Sequence, residues 1–227
     1  MFGSIEVQLA LLFWGTLVGL DLVSVGQTMI SRPLVAGAVA GAIVGDLPTG
    51  LQLGIVFELF QFDVLPVGAA RYPEYGPATV AAVSAAHFSG GALATGIGAG
   101  VGLLTGLLGG VSLDLLRQLN VRAVARAAPL LDAGETDVLI RVHVGGILRD
   151  AARAALVTAV GLILARIART VFRSALTTQH VTLMAAAVAG AAVAVGAAGV
   201  LRLMGRTPTL KWFALGLMGG SVVAWTL

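Results

Sequence analysis

The stretch DLVSVGQTMISRPLVAGAVAGAIVGDLPTGLQLGIVFELFQFDVLPVGAARYPE (residues 21–74) decides the fold, because it alternates charged residues with short apolar pieces. Its charged residues are Asp21, Arg32, Asp46, Glu58, Asp63, Arg71 and Glu74. The uncharged residues 33–45 would reach about 20 Å as a helix, whereas the hydrocarbon core of a bilayer is about 30 Å thick. We therefore expect these charges to lie at membrane depth or at the ends of half-helices. A charge there is costly, so each is a candidate functional residue.

The composition of the whole chain predicts an integral membrane protein. Of its 227 residues, 58% are hydrophobic and 11% are charged, whereas about a quarter of a soluble domain is charged. Apolar runs such as residues 181–201 do not alternate with polar positions, so they predict helices instead of a transmembrane barrel. We therefore expect an all-α, polytopic membrane protein with broken or re-entrant helices in its N-terminal third.

Charge is distributed unevenly along the chain. Residues 1–110 contain six acids and two bases, whereas residues 111–227 contain five acids and twelve bases. The positive-inside rule explains this asymmetry better than a nucleic-acid partner does. The chain has no cysteine, which excludes disulfides, thiolate metal sites and cysteine nucleophiles.

Polar residues that follow the first apolar helix, residues 7–20, predict a break in the helical path. Residues 22–31 include serine, threonine and glutamine side chains and are too polar for a helix interior in lipid. Since unpaired backbone cannot face lipid, this segment is expected to be broken or re-entrant and to face protein or water. Arg32-Pro33 then begins a half-helix, because proline suits the first turn.

A second short helix is predicted directly after this half-helix. The first half-helix is expected to end at Gly45-Asp46, and the residues LPTG (47–50) predict a turn. The next helix then covers residues 51–62 and carries Glu58 in its interior. Residues 63–77 are rich in proline and glycine, so we expect an irregular segment that lines a cavity.

The middle of the chain predicts two conventional spans and a polar connector. Residues 75–113 carry no formal charge and would reach about 58 Å as a helix, enough for two spans with a break at residues 89–91. The arginine-rich residues 114–153 are expected in the cytoplasm. Pro129 and residues 132–137 are expected to interrupt two amphipathic helices there.

The C-terminal part predicts further membrane helices. Residues 154–165 are a short apolar run flanked by Arg153 on one side and by Arg166, Arg169 and Arg173 on the other. These arginine side chains are expected to snorkel and lengthen the span. Residues 181–201 form the clearest span, and residues 212–227 predict a last helix with Trp212 and Trp225 at the interface.

Together these segments predict one membrane domain over residues 1–227. Its core, residues 7–110, contains the half-helices and a candidate binding site. Residues 111–153 are expected to form a cytoplasmic amphipathic connector, and residues 154–227 the C-terminal membrane helices.

The sequence contains no pattern typical of an enzyme. It lacks a Walker loop, an H-E-x-x-H motif and a G-x-S-x-G motif, and its three histidines (His87, His143 and His180) have no metal-ligand spacing. We therefore predict no catalytic residue, no metal site and no cofactor, and we interpret the chain as a transporter subunit.

The carboxylates, amide and arginines of the first third suit a neutral polyol such as a sugar. Sugar hydroxyls both donate and accept hydrogen bonds, and a carboxylate can accept several of them. Half-helix ends near the midplane add free backbone groups, as in transporters with broken helices. We predict that Asp21, Gln27 and Glu58 contact sugar hydroxyls, and that Arg71 gates the site or forms an ion pair.

A second group of residues is predicted to hold the half-helices in place. These residues are Arg32, Pro33, Asp46, Thr49 and Gly50. The simpler interpretation is that the charged residues of this region only pair with each other or cap helices. Asp46, which precedes Pro48, is the most plausible cap, whereas Glu58 lies within a helix between apolar neighbours.

The residues RPLVAGAVAGAIVGDLPTGLQLGIVFEL (32–59) resemble the IIC subunit of the mannose/fructose/sorbose family of the bacterial phosphotransferase system. That family has an R-P pair, an apolar run, G-D, T-G, spaced glycines and a glutamate. Residues 21, 27 and 66–70 also look similar, so the motifs cover about residues 15–80. Ser31 stands where relatives commonly have histidine, and residues 70–77 have no clear counterpart, which leaves the sugar open.

The resemblance implies a partner set and a mechanism. Such IIC proteins form the membrane channel with a IID subunit, in complexes that assemble as trimers in the bacterial inner membrane. The sugar binds in the membrane part and is phosphorylated at the cytoplasmic face by a soluble IIB subunit. IIB itself receives its phosphoryl group from IIA and HPr, so IIC is not the phosphoryl carrier.

Two alternatives remain open from the sequence alone. One is a regulatory membrane scaffold that senses the phosphotransferase system through residues 111–153 without transporting sugar. The other is an unrelated secondary transporter that couples to protons through Asp21 and Glu58.

Overall fold

The computed structural model describes residues 4–64, 70–87, 91–175 and 178–204, together with residues 211, 215, 216 and 218. The regular elements in these ranges are all α-helices, which confirms the all-α prediction. They are α1 (Ile5–Asp21), α2 (Pro33–Val44), α3 (Leu47–Gln61), α4 (Tyr75–Ala86), α5 (Gly91–Asp132), α6 (Thr136–Ala175) and α7 (Thr178–Met204).

Three of these helices are long and apolar enough to cross a membrane. In the described part of the chain, the qualifying stretches are Thr95–Asp132, Thr136–Val171 and Thr182–Arg202. α2 is apolar but has only 12 residues, so it reaches about 18 Å. The prediction that the N-terminal third contains helices too short to span is therefore confirmed.

Helices α2 and α3 form a tight hairpin. α2 ends at Val44. Its C-cap residue, Gly45, has a left-handed backbone conformation (φ 76°), which favours glycine. Asp46 is the N-cap of α3, and its side chain accepts a hydrogen bond from the Thr49 backbone N–H at 3.2 Å. The predicted turn over residues 47–50 is wrong, because these residues form the first turn of α3. Proline after an N-cap aspartate begins a helix as readily as it makes a turn.

Glycines bring the two arms of this hairpin into backbone contact. A Cβ at Gly37 would lie 2.5 Å from the Gly50 carbonyl oxygen, and a Cβ at Gly54 would lie 3.1 Å from the Pro33 carbonyl oxygen. Small residues allow helices to approach this closely. Such packing matters in a membrane, because lipid is as apolar as the side chains and apolar burial does not drive helices together. Trp14 of α1 adds a hydrogen bond from its indole N–H to the Ala36 carbonyl at 3.0 Å.

Helix α4 is the central element of the bundle. All twelve of its residues are buried, and it packs against α1, α2, α3, α5 and α6. Most of its residues are small, and five of the twelve are alanine. The Thr79 hydroxyl donates a hydrogen bond to the Tyr75 carbonyl at 2.7 Å. The predicted irregular segment over residues 63–77 is therefore too long, since Tyr75–Pro77 already belong to α4. Residues 65–69 lie outside the described residues.

Helices α5 and α6 are far longer than the apolar runs predicted. α5 contains 42 residues and α6 contains 40. Pro129 lies inside α5, three residues before its end, so the predicted interruption at Pro129 is wrong. The break between the two helices is the turn at residues 133–135, where Gly134 is left-handed (φ 78°), as the predicted break at 132–137 required.

The predicted subdivision of the chain does not coincide with helix ends. Residues 110 and 111 lie together within α5, and residues 153 and 154 lie together within α6. The division into 7–110, 111–153 and 154–227 stays a prediction about membrane depth. The predicted last helix over residues 212–227, with Trp212 and Trp225, lies almost entirely outside the described residues.

Replacement of Gly37 by valine should open the α2–α3 hairpin. The new side chain would meet the Gly50 carbonyl, which is backbone and cannot rotate away. We expect a clear fall in the melting temperature of the detergent-purified protein, because overpacking costs about 1–3 kcal/mol or more.

The matched control is Gly100→Ala on α5, where an added Cβ has nothing within 4 Å. This variant should match or exceed the wild-type melting temperature, since alanine is the better helix former. Equal melting temperatures for Gly37→Val and Gly100→Ala would contradict the close contact.

Candidate functional site

The ends of four helices meet at one level of the bundle. α1 ends at Asp21, α2 begins at Pro33, α3 ends at Gln61 and α4 begins at Tyr75. A Cβ at Gly76 would lie 2.9 Å from the Ser31 carbonyl, and a Cβ at Gly19 would lie 3.3 Å from a Glu74 carboxylate oxygen. Asp21, Arg32 and Glu74 thus lie where backbone groups at helix ends need partners.

Asp21 organises the loop between α1 and α2. Its side chain is 2% exposed, and its Oδ1 accepts hydrogen bonds from the Thr28 backbone N–H (2.6 Å) and hydroxyl (2.9 Å). Its Oδ2 accepts a hydrogen bond from the Ser31 backbone N–H at 3.0 Å. The structure therefore places this predicted sugar ligand as the anchor of a loop.

The same loop holds two residues in an unusual backbone conformation. Gln27 and Met29 have positive φ angles of 50° and 69°, which residues other than glycine rarely adopt. Each such residue costs about 1–3 kcal/mol and persists only where its surroundings impose it. Both residues are exposed, so the Asp21 contacts hold the loop in a shape that presents Gln27 outward.

Glu58 binds the N-terminal end of α2. It forms a salt bridge with Arg32, and its Oε2 accepts a hydrogen bond from the Leu34 backbone N–H at 3.2 Å. Arg32 also lies over the ring of Phe62, 6.0 Å from its centroid. A carboxylate beside a helix N-terminus is favourable because free N–H groups and the helix dipole are positive there.

The predicted site residues are thus partly brought together. Asp21 and Glu58 both hold the short segment of residues 28–34, one from each end. Each carboxylate has partners within the chain, as the simpler interpretation proposed. Arg71 lies apart and forms an exposed salt bridge with Asp114 at 3.0 Å.

The sequence did not predict a buried charge cluster around Arg153 of α6. The Arg153 Nη1 and Nη2 donate to the two carboxylate oxygens of Glu74 at 2.6 and 3.0 Å. The Arg153 Nε donates to Asp150 Oδ1 at 2.7 Å. Glu74 and Asp150 are both fully buried and Arg153 is 8% exposed. The predicted snorkelling of Arg153 is wrong, because its charge finds two carboxylates inside the bundle.

This cluster connects parts of the chain that are distant in sequence. Arg153 also donates to the Ser112 hydroxyl at 3.2 Å and to the Gly19 carbonyl at 3.4 Å. The Ser24 hydroxyl, in the loop that Asp21 organises, donates to Asp150 Oδ2. The cluster thereby links α1, the α1–α2 loop, α5 and α6 to Glu74 at the start of α4. The available sequence signal was the i,i+3 spacing of Asp150 and Arg153, which an interfacial helix would also show.

These features define a class of protein, a multi-pass membrane protein with half-helices whose charged ends meet inside the bundle. The model of the phosphotransferase family described as "PTS system sorbose-specific iic component" matches residues 6–226. The chain belongs to this family, and it is a IIC permease subunit of a sugar phosphotransferase system. The prediction made from residues 32–59 is confirmed.

Individual relatives agree with this assignment. The chain is 29% identical over 197 residues to the sorbose-specific EIIC component of Klebsiella pneumoniae, covering 86% of this chain and 73% of that protein. It is also 29% identical over 130 residues to the mannose-specific EIIC component of Escherichia coli strain K12, covering 55% of this chain and 46% of the relative. The alignment thus spans about half the length of the mannose-specific protein.

Solved structures share the fold. One described as a membrane protein superposes with a TM-score of 0.78 at 19% identity, covering 98% of this chain and 91% of the other. The cryo-EM structure of the mannose transporter ManYZ in complex with microcin E492 gives a TM-score of 0.57 at 21% identity, covering 97% and 88%. At these identities the likeness concerns the fold alone.

Replacement of Arg153 by methionine should strongly destabilise the protein. It would leave the carboxylates of Glu74 and Asp150 buried without their cation. Breaking a buried ion pair from one side typically costs about 3–5 kcal/mol, so we expect a large loss of folded, monodisperse protein and a lower melting temperature.

The control is Arg126→Met at an exposed position on α5, which should change little. Adding Glu74→Gln to Arg153→Met should restore part of the stability, because one uncompensated charge is removed. If Arg153→Met unfolded at the same temperature as Arg126→Met, the cluster would have no structural role.

Proposed function

We propose that the chain binds a hexose-type sugar within the membrane and delivers it to the cytoplasmic face, where a IIB subunit phosphorylates it. Support comes from its membership of the IIC family and from relatives named for sorbose, mannose and fructose. In this proposal the chain supplies binding and passage, and the phosphoryl group never resides on it.

The observation that carries this proposal is the α1–α2 loop, which is held between Asp21 and Glu58 at the broken helix ends. An ionised carboxylate offers about four lone-pair sites. Asp21 uses three of them on Thr28 and Ser31 and is nearly fully buried. Glu58 binds Arg32 and Leu34, and its side chain is 15% exposed. Glu58 therefore retains acceptor capacity that a sugar hydroxyl can reach.

The remaining polar groups fit this arrangement. The exposed amide of Gln27 can both donate to and accept from a sugar hydroxyl. In the proposal, Asp21 acts on the sugar chiefly through the loop that presents Gln27. Arg71, with its exposed partner Asp114, is a candidate gate. The structural group (Arg32, Pro33, Asp46, Thr49 and Gly50) holds the α2–α3 hairpin.

The proposed partners follow from the family and the charge pattern. We propose a IID subunit as the membrane partner, in a trimeric assembly in the bacterial inner membrane. The arginine-rich part of the α5–α6 hairpin next to its turn is proposed to face the cytoplasm, where soluble IIA and IIB subunits, supplied by HPr, would act. Its many exposed apolar residues, including Leu115, Leu119 and Leu148, suit contact with lipid or with a membrane partner.

Substitution of Glu58 by glutamine should abolish sugar uptake while the protein still inserts in the membrane. The amide keeps the size and loses the charge that makes a strong acceptor. Because hydrogen bonds to charged groups contribute about 1.5–3 kcal/mol, sugar affinity should fall roughly 10- to 150-fold. Uptake in cells and sugar binding to the purified protein would be measured in parallel.

Two variants separate direct contact from ion pairing. Arg32→Gln breaks the same salt bridge but keeps the Glu58 carboxylate, so it should retain more sugar affinity than Glu58→Gln. Glu135→Gln, at the exposed turn between α5 and α6, should behave as wild type. If Arg32→Gln and Glu58→Gln lost equal sugar affinity, Glu58 would act only as the ion-pair partner of Arg32. Normal uptake in Glu58→Gln would refute its role in sugar binding.

A further inference from the structure

A cavity of about 350 Å³ lies beyond the C-terminal end of α3, between the segment that precedes α4 and helix α7. Its volume is within the range of small-molecule sites. The lining residues that carry its chemistry are Phe60, Asp63, Arg71, Tyr72, Tyr75 and Arg202. The predicted roles of Glu58, Asp21 and Gln27 do not involve this cavity, although the sequence did predict a cavity at residues 63–77.

One part of the cavity lining is aromatic. The rings of Phe60 and Tyr75 are stacked, with centroids 6.0 Å apart and an interplanar angle of 27°. Phe57 packs against both rings, at 6.1 Å from Phe60 and 5.8 Å from Tyr75. Phe57 is fully buried and fixes the other two rings, while Phe60 and Tyr75 reach the cavity wall and are 7% and 8% exposed. This wall gives the cavity an apolar side for the C–H groups of a sugar ring.

The lining also carries an excess of positive charge. It contains two arginines, Arg71 and Arg202, and one aspartate, Asp63. Arg202 pairs with Asp63 at 2.7 Å, and Arg71 pairs with Asp114 at 3.0 Å. These arginine side chains are 66% and 61% exposed. Exposed pairs of this kind contribute about 0–1 kcal/mol, so either guanidinium can turn to a stronger anion.

A third guanidinium stands next to this cavity. Arg117 lies 5.5 Å from the centroid of the Tyr72 ring and donates hydrogen bonds to the Ala70 carbonyl (3.0 Å) and the Tyr72 hydroxyl (3.4 Å). These partners are neutral, so its charge adds to the positive field. Arginine clusters of this kind recognise phosphate through planar, paired N–H donors.

The position of the cavity relates it to the proposed sugar site. Asp63 lies two residues beyond the end of α3, and Glu58 lies in the last turn of the same helix, so the two carboxylates are at the same end of α3. Arg71, Arg117 and Arg202 belong to the end of the bundle that the positive-inside rule assigns to the cytoplasm. A sugar leaving Glu58 toward the cytoplasm would pass near this cavity.

We propose that this cavity binds a phosphate monoester, namely the phosphorylated sugar, at the cytoplasmic side. The inference rests on the proposed function, since only a phosphotransferase permease would meet this product here. Phosphorylation turns a neutral polyol into a dianion, which favours the arginine-lined cavity over the acidic groups at Glu58. The two sites are thus matched to the two forms of the same molecule.

Binding measurements on the full-length protein in phosphatidylcholine nanodiscs test this proposal. The probes are mannose 6-phosphate, fructose 1-phosphate and sorbose 1-phosphate, with the free sugars and inorganic phosphate for comparison. At least one sugar phosphate should bind more tightly than inorganic phosphate. The double variant Arg71→Gln/Arg202→Gln should weaken that binding by about tenfold or more, as loss of charged hydrogen bonds predicts. Arg126→Gln, at an exposed position on α5, is the matched control and should bind as wild type.

Several results would overturn the proposal. These are failure of all three sugar phosphates to bind, equal binding by the double variant, or inorganic phosphate binding as tightly as the sugar phosphates. Displacement of the sugar phosphate by adding phosphatidylglycerol to the nanodiscs would assign the cavity to a lipid headgroup instead.

The Glu58→Gln variant distinguishes this inference from the proposed function. It should lose free-sugar binding and keep sugar-phosphate binding. If the wild-type protein bound free sugar but no sugar phosphate, the proposed sugar-phosphate site would be refuted and the permease proposal would stand. A wild-type protein that binds neither would refute both.

Discussion

The guanidinium of Arg153 is the interaction on which the rest of the structure depends. All three of its nitrogens donate to buried carboxylates, two to Glu74 and one to Asp150. Bidentate pairing of this kind fixes direction as well as distance. Because Glu74 directly precedes α4, the pair sets where the central helix begins. Every residue of α4 is buried, so the neighbouring helices take their positions from it.

Carboxylates near helix ends explain how the chain tolerates several interrupted helices. A helix end inside a membrane protein exposes backbone groups that lipid cannot satisfy. Three of these ends have a carboxylate partner: Asp21 binds the loop after α1, Glu58 binds the start of α2, and Asp46 caps α3. Ser24 connects this loop to Asp150. The polar residues at these helix ends therefore stabilise the breaks.

Local features of this fold could be predicted from the sequence, and long-range pairs could not. The bounds of α2 were predicted within one residue from Pro33 at its start and Gly45-Asp46 at its end. These residues restrict or cap the backbone at their own positions, so their effect can be read from local sequence. The error over residues 47–50 has the same origin, since the same letters fit a turn and a capped helix start. The pairing of Arg153 with Glu74 spans 79 positions, and no periodicity in one sequence relates such distant residues. At the candidate site, the residue types indicated a polar layer. The contacts in the folded chain decide which carboxylates keep free acceptor sites, and the sequence does not show these contacts.

The carboxylates differ in how far they are buried, and this difference separates structural residues from candidate binding residues. Glu74 is fully buried against one guanidinium, and Asp21 is nearly buried with three donors. Burial closes off the acceptor sites that these partners leave unused. Glu58 and Asp63 are 15% and 35% exposed and face arginines that are themselves partly solvated. Because these pairs are partly exposed, they can exchange partners without disturbing the buried cluster around Arg153.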